Sequence, residues 1–357
     1  MNYKIILYPS NWLYNAGVMG LIFTYPEYFT FKNGSVELDI NLFKNIDYES
    51  YYFKDGKVIN LIGKNQFYPN YIDTKGNQKD IFIKYFTSFS ELENSGFCHI
   101  CSNPHYINQN RYSELESGDK AAEKFLSKVK NFDMVYNKLL GPSKSKFPNS
   151  FWNLNESLSV CHLCSFVLIH HHLVYVELAD KSQIFINAPS FKLMFELNRI
   201  IKSIYGSGLY DDQTSKREIL ATSIIEYARK VNVFFGKWTS MNIEIIIKSE
   251  DNIDFLSLPF DVINIISDRD IANLLGEIGE TEVLKLILDQ KFSELIDWAY
   301  KILRISFKKP ENISKNDKDF IKNLMKLKRN QLNSQEFANK LLKLYSLIED
   351  KLKGAIV

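Results

Sequence analysis

Net charge is nearly missing from this sequence: 44 Lys and Arg face 42 Asp and Glu, leaving +2. A chain so balanced is neither drawn to polyanions as a whole nor strongly repelled by them, so any nucleic-acid surface has to be a local patch. A membrane-spanning run is missing as well. The most apolar stretch, Ile5 to Phe29, is broken by Pro9, Ser10, Asn11, Asn15, Pro26 and Glu27, well short of the ~20 consecutive apolar residues a bilayer needs. The expectation is a soluble, cytoplasmic protein. There is no solenoid-type repeat. No Walker sequence or other phosphoryl-transfer set accompanies the acidic pairs Asp211-Asp212 and Asp268-Arg269-Asp270, which suit capping or turn positions better than metal-dependent nuclease chemistry. What the chain does hold is aromatic surface, 26 Phe and 20 Tyr in 357 residues, enough to offset chain entropy in two or three folded units.

The periodicities predict an α+β protein: a mixed N-terminal domain with an inserted four-cysteine zinc-ribbon lobe, followed by an α-helical C-terminal bundle. Residues Tyr3 to Leu7 read as a strand. Asn11 can cap a helix carrying Trp12, Leu13, Ala16, Met19, Leu21 and Ile22 at spacings of three and four, with Gly17 and Gly20 permitting close packing. Tyr28–Phe31 and Val36–Ile40 alternate around Lys32-Asn33-Gly34-Ser35, a hairpin signal. Ala121–Leu140 reads as an amphipathic helix, Leu173–Leu178 and Gln183–Ile186 as paired strands, and Pro189 opens a helix reaching about Tyr205. Lys216–Val231 is a further helix, Ile243–Ile247 a strand, and Asp268–Lys353 is helical throughout, broken near Pro310. The corresponding divisions are 1–96, 97–165, 166–250 and 251–357.

All four cysteines fall in two pairs, Cys98-His99-Ile100-Cys101 and Cys161-His162-Leu163-Cys164, separated by 59 residues. A CxxC turn aims two thiolates at one ion while its amides donate to sulfur, and two such turns complete a tetrahedral site with no open position. A closed site of this kind is structural, so the pattern predicts structural zinc, with an iron–sulfur cluster as the alternative. Free thiols and paired redox motifs fit less well, since the pairs lack a thioredoxin-like βαβ context. His99 and His162 occupy the variable positions of the turns and are expected to be exposed. His170-His171-His172 is set aside as a ligand tract, because in a strand consecutive side chains point to opposite faces.

Three blocks together carry a resemblance: Trp12-Leu13-Tyr14-Asn15-Ala16-Gly17-Val18-Met19-Gly20-Leu21, the two CxxC pairs, and Phe185-Ile186-Asn187-Ala188-Pro189-Ser190. In order and spacing they resemble the CRISPR-associated CXXC-CXXC protein of type I-B systems, the large subunit of the RNA-guided complex called Cascade. The likeness covers residues 3–205. It implies a non-catalytic subunit that binds guide RNA and target double-stranded DNA, sits among other Cascade subunits, helps to recognise a motif beside the target and helps to recruit a helicase-nuclease.

Candidate nucleic-acid contacts follow from local composition. Lys64, Asn65 and Gln66 combine a phosphate-positioning cation with two base-reading amides, and Lys144 and Lys146 lie in a Gly/Pro/Ser loop that could clamp a backbone. Residues 301–330 carry ten Lys and Arg against three acids, the most basic stretch of the chain, with Lys322, Lys326 and Arg329 as candidate phosphate contacts. Two rival readings stay open. One is a metal-dependent nucleic-acid-processing enzyme with a structural zinc, using Asp211 and Asp212. The other is a zinc-ribbon protein–protein adaptor.

Overall fold

The computed structural model describes residues 4–48, 53–54, 57–58, 78–87, 94–102, 104–106, 120, 123, 131–133, 157–206, 215–231, 239, 242–249, 252–325 and 333–354. It is mixed α+β, with a helical C-terminal region and a cluster of all four cysteines. Among the described residues no helix is long and apolar enough to cross a membrane. The chain divides into two compact units, one of residues 1–177, 181–195 and 247–254, the other of 178–180, 196–246 and 255–357.

The first unit opens with β1 (Lys4–Leu7), whose Ile5 and Leu7 are buried while Ile6 faces out. Asn11 then caps α1 (Trp12–Thr24) by accepting from the Tyr14 amide, the expected N-cap chemistry. β2 (Phe29–Lys32) and β3 (Ser35–Asp39) form the hairpin predicted from alternation, and the sheet is ordered β1-β3-β2 with antiparallel pairing throughout. Its turn places Gly34 at φ +89, a conformation that glycine adopts without a Cβ penalty.

Short segments follow: α2 (Leu42–Asn45), β4 (Phe53–Lys54), β5 (Lys57–Val58) and α3 (Gln78–Thr87). Next, β6 (Asn94–Phe97) pairs with β7 (Pro104–Tyr106), and β8 (Asn131–Asp133) pairs with β9 (Ser157–Ser159). The strand at 131–133 corrects the helix expected over Ala121–Leu140. Of that span only position 123 is described as helical, and Asn131-Phe132-Asp133 gives its backbone to a ladder instead, Asn and Asp being weak helix formers. β9 leads into α4 (His162–Ile169), then β10 (Val176–Glu177) and β11 (Gln183–Asn187), which pair antiparallel around Lys181 at φ 63. α5 (Phe191–Tyr205) and α6 (Lys216–Lys230) lie close to their predicted bounds, α6 with a reciprocal Ser215–Glu218 capping box. The ends of β12 (Glu244–Lys248) and β13 (Ile253–Ser257) return at residues 247–254 to the first unit, in a sheet ordered β10-β11-β12-β13. Neither β13 nor the next helix, α7 (Phe260–Ile266), was evident from periodicity.

α8 (Arg269–Ile278), α9 (Thr281–Leu288), α10 (Ser293–Ser306), α11 (Lys315–Leu324) and α12 (Ser334–Gly354) complete the second unit, with a single 3-10 turn at Pro310–Asn312. α10 and α8 both pack on α12, and α6 packs on α8. Asp268 serves as the N-cap of α8 and pairs with Lys351 at 3.0 Å, the capping role its position suggested.

α1 is buried nearly all round, from Leu13 to Ile22, because α4 and residues 171–173 both press against it. A Cβ at Gly17 would stand 2.2 Å from the Val167 carbonyl oxygen, and one at Gly20 would stand 2.5 Å from that of His170. The two glycines therefore set the approach of α1 to α4. His170 ends α4, and His171–Leu173 is a 3-10 turn, which corrects the expected strand start at Leu173. The reason is local: the Nδ1 atoms of His170 and His171 lie 2.6 and 2.8 Å from the carbonyls of Phe166 and Leu168, extending helical bonding past Ile169.

Gly17→Ala is expected to destabilise the protein by about 1–3 kcal/mol through overpacking against backbone, read as a lower denaturation midpoint. Burial pushes His170 down to about 3 and His171 well below the ordinary histidine value. A neutral imidazole in the fold contributes stability that is whole above about pH 6.5 and is lost as pH falls toward 3. Denaturation measured from pH 7 to 5 should show stability falling, and His170→Asn should flatten that slope by up to about 1.4 kcal/mol per pH unit.

Candidate metal centre

Two unlike elements present the cysteines. Cys98 and Cys101 occupy the turn of the β6–β7 hairpin, closed by the Ser102 amide on the Cys98 carbonyl at 3.0 Å, with Ser102 itself at φ 57. Cys161 is the N-cap of α4 and Cys164 lies in its first turn, so the second pair opens a helix and not a hairpin. A clasp joins the two turns: the His99 amide donates to the Ser159 carbonyl, and the Ser159 amide donates back to His99 Nδ1, both at 3.0 Å.

The four Sγ atoms lie within 4.8 Å of one another, and those of Cys101 and Cys161 are 4.0 Å apart. One ion bound at ~2.3 Å to four sulfurs in a tetrahedron sets them about 3.8 Å apart. Disulfide-bonded sulfurs stand at only ~2.05 Å, and all four thiols are free. Amide donors converge on the sulfurs, from Cys161 to Cys98 Sγ at 3.3 Å and from Cys164 to Cys161 Sγ at 3.4 Å. Such donors favour thiolate over thiol.

Electrostatics point the same way. Hydrogen bonds from the Cys101, Cys161 and Cys164 thiols pull Cys98 far below the ordinary thiol value, and those from Cys161 and Cys164 lower Cys101. Burial, together with the neighbouring sulfurs, pushes Cys161 and Cys164 well above it. The first proton thus leaves easily and the last is held. Four thiolates coexist in this buried cluster only around a cation, and the donor set fits a divalent metal ion with no position left for a substrate.

Surrounding residues hold the cluster in place. The Ser10 hydroxyl donates to the Ile100 carbonyl at 2.6 Å. Asn15, 1% exposed, accepts from the Ser10 amide at 2.8 Å and gives its own amide to the Ser10 carbonyl at 2.9 Å and to Asn187 Oδ1 at 2.8 Å. His162 departs from expectation: it is 4% exposed, its ring 4.1 Å from that of Tyr85 and packed near Phe86 and Phe43. As the first residue of a helix packed in the core it faces α3, and burial pushes it down to about 3. Tyr14 is buried near all four cysteines, and burial first, then their charge, raises its phenol. Nothing in the sequence pointed to Asn15, Ser10 or Tyr14 acting on the metal turns, because their contacts bridge distant segments.

Of the nucleic-acid candidates, Lys322 is exposed on α11. Lys64, Asn65, Gln66, Lys144, Lys146, Lys326 and Arg329 lie outside the described residues, as do Asp211 and Asp212. Among the described residues the cysteine quartet is the one group of three or more Cys, His, Asp or Glu placed to hold a metal ion. No family model, curated protein or solved structure matches the chain.

Metal analysis of purified protein is expected to give one equivalent per chain. Cys98→Ser combined with Cys161→Ser should release it and lower the denaturation midpoint sharply; well-folded wild-type protein free of metal would overturn the assignment.

Proposed function

We propose that this chain is the non-catalytic large subunit of a type I-B RNA-guided surveillance complex, built around a structural zinc ion. The observation that carries the reading is convergence. The three blocks that resemble the CXXC-CXXC protein are far apart in sequence and form one unit: Asn15 of the first block bonds Asn187 of the third, and Ser10, held by Asn15, bonds the first CxxC turn. In this reading the residues behind the likeness act together as one built feature.

Zinc is favoured because one tetrahedral ion matches sulfurs held within 4.8 Å, whereas a multi-iron cluster spreads its four thiolates over separate irons. The ion would be held by Cys98, Cys101, Cys161 and Cys164, and when bound it supplies charge compensation and a cross-link. It pins both ends of the inserted lobe, which we read as ribbon-like, to the core at α1 and α4. In this reading guide–target pairing supplies sequence readout, and the protein holds backbones and reads a few flanking base pairs. A near-neutral chain suffices for that.

Co-expression with the neighbouring operon and a guide array, affinity purification of this chain and sequencing of the accompanying RNA test the proposal. A short repeat-flanked guide, recovered with backbone subunits and colourless zinc-containing protein, is the expected result. A chain purifying alone without RNA, while the assembled complex is present in the same lysate, would refute it and favour the enzyme or adaptor alternatives.

A further inference from the structure

A cavity of about 240 Å³ opens within the second unit, between α6 and the junction of α8 with α9. At ~30 Å³ per water it has room for about eight waters, the volume of a small organic molecule. Part of its wall is apolar, formed by Ile225, Leu275 and Leu284 together with Tyr205 at the end of α5.

The polar part of the lining is unbalanced: Glu218, Glu226 and Glu280 stand against a single cation, Arg229. Arg229 is engaged within the chain. Its guanidinium pairs with Glu226 at 2.5 Å, and it lies so close to α8 that a Cβ at Gly276 would stand 2.6 Å from its Cζ. The bare backbone of Gly276 thus seats the guanidinium, and its charge is spent on Glu226. Glu218 and Glu280 are more deeply placed, at 4% and 5% exposure. One Glu218 oxygen accepts from the Ser215 amide at 3.2 Å, closing the capping box of α6, and among the described residues Glu218 forms no salt bridge. Lys285, which stands near enough to feel its charge, is exposed and pairs with Glu282 at 3.1 Å. A carboxylate buried to this degree without an ion pair carries a desolvation cost that a cationic ligand offsets.

The way the charges are spread describes that ligand. These carboxylates do not gather around one point: among the described residues the cysteine quartet alone is placed to hold a metal ion. The C-terminus of α8 and the N-terminus of α9 both border the cavity with dipole ends of opposite sign, so the side chains set the field. Two surplus carboxylates beside an apolar wall suit two cationic heads joined by a hydrocarbon segment, and they repel nucleotides and other anions.

We infer that the cavity between α6 and the α8–α9 junction is a binding site for a small aliphatic diamine. One ammonium sits on Glu218 and the other is drawn to Glu280, while the methylenes pack on Ile225, Leu275 and Leu284. The site is separate from the metal centre and from the nucleic-acid role proposed above, and it depends on neither.

Calorimetric titration of the purified full-length chain with butane-1,4-diamine at constant ionic strength tests the inference. One saturable site per chain is expected, with a denaturation midpoint that rises with diamine concentration. Glu218→Gln keeps an oxygen for the Ser215 amide while removing the charge, and should weaken binding about tenfold or more, the loss of one charge-assisted hydrogen bond. Glu280→Gln, outside the capping box, should do the same and gives the reading if the first variant does not fold. 1-Aminobutane, with a single ammonium, should bind about tenfold or more weakly than the diamine for the same reason. Wild-type protein without a saturable site overturns the inference, as does diamine affinity unchanged in the glutamine variants. Displacement of the diamine by magnesium chloride of matched charge also overturns it, marking the cavity as a general counter-ion trap.

Discussion

Four thiols held within 4.8 Å of one another, three of them buried, cannot all be charged without a counter-ion, and that constraint organises the first unit. Burial that would be costly for four thiolates becomes favourable once a dication sits among them, because the same low dielectric that penalises a lone charge strengthens its attraction to sulfur. An ion bound there would join the hairpin and the helix N-terminus into one cross-linked element. Binding free energy at such a site is folding free energy.

The second constraint is steric. α1 approaches α4 at backbone distance because Gly17 and Gly20 carry no side chain there. Asn15 lies on the same helix two residues before Gly17, so the close approach also carries its amide to Asn187 and to the Ser10 turn. A helix set farther out by larger residues would leave the buried Asn15 amide unsatisfied, at a cost of roughly 1–3 kcal/mol for the lost partners. Packing and polar satisfaction are thus not separable contributions at this point. The glycines and the asparagine specify one geometry together, and the metal turns inherit it through Ser10 and Ile100.

Much of this was legible beforehand, for reasons that differ by element. Asn11 as a cap, Gly34 in a turn and the helical C-terminal third rest on local chemistry, and local chemistry is what a sequence displays. The convergence of Cys98, Cys101, Cys161 and Cys164 was legible despite its range, since a closed ion site makes distant pairs interpretable together. What escaped was tertiary. His162 looked like a spacer between ligands, yet its position at the start of a core helix buries it against Tyr85. His170 to Leu173 read as extended because of the flanking apolar run, while backbone bonding from the imidazoles holds them in helical turns. Residues 131–133 joined a strand because β9 lay ready to pair, which no helical periodicity can reveal.

The two units also use their ionisable groups differently. In the first unit the ionisable groups that matter most are buried and serve cohesion: neutral histidines and a sulfur cluster that demands a cation. In the second, ion pairs such as Asp268–Lys351 and Arg217–Asp289 tie helix ends together at modest individual worth.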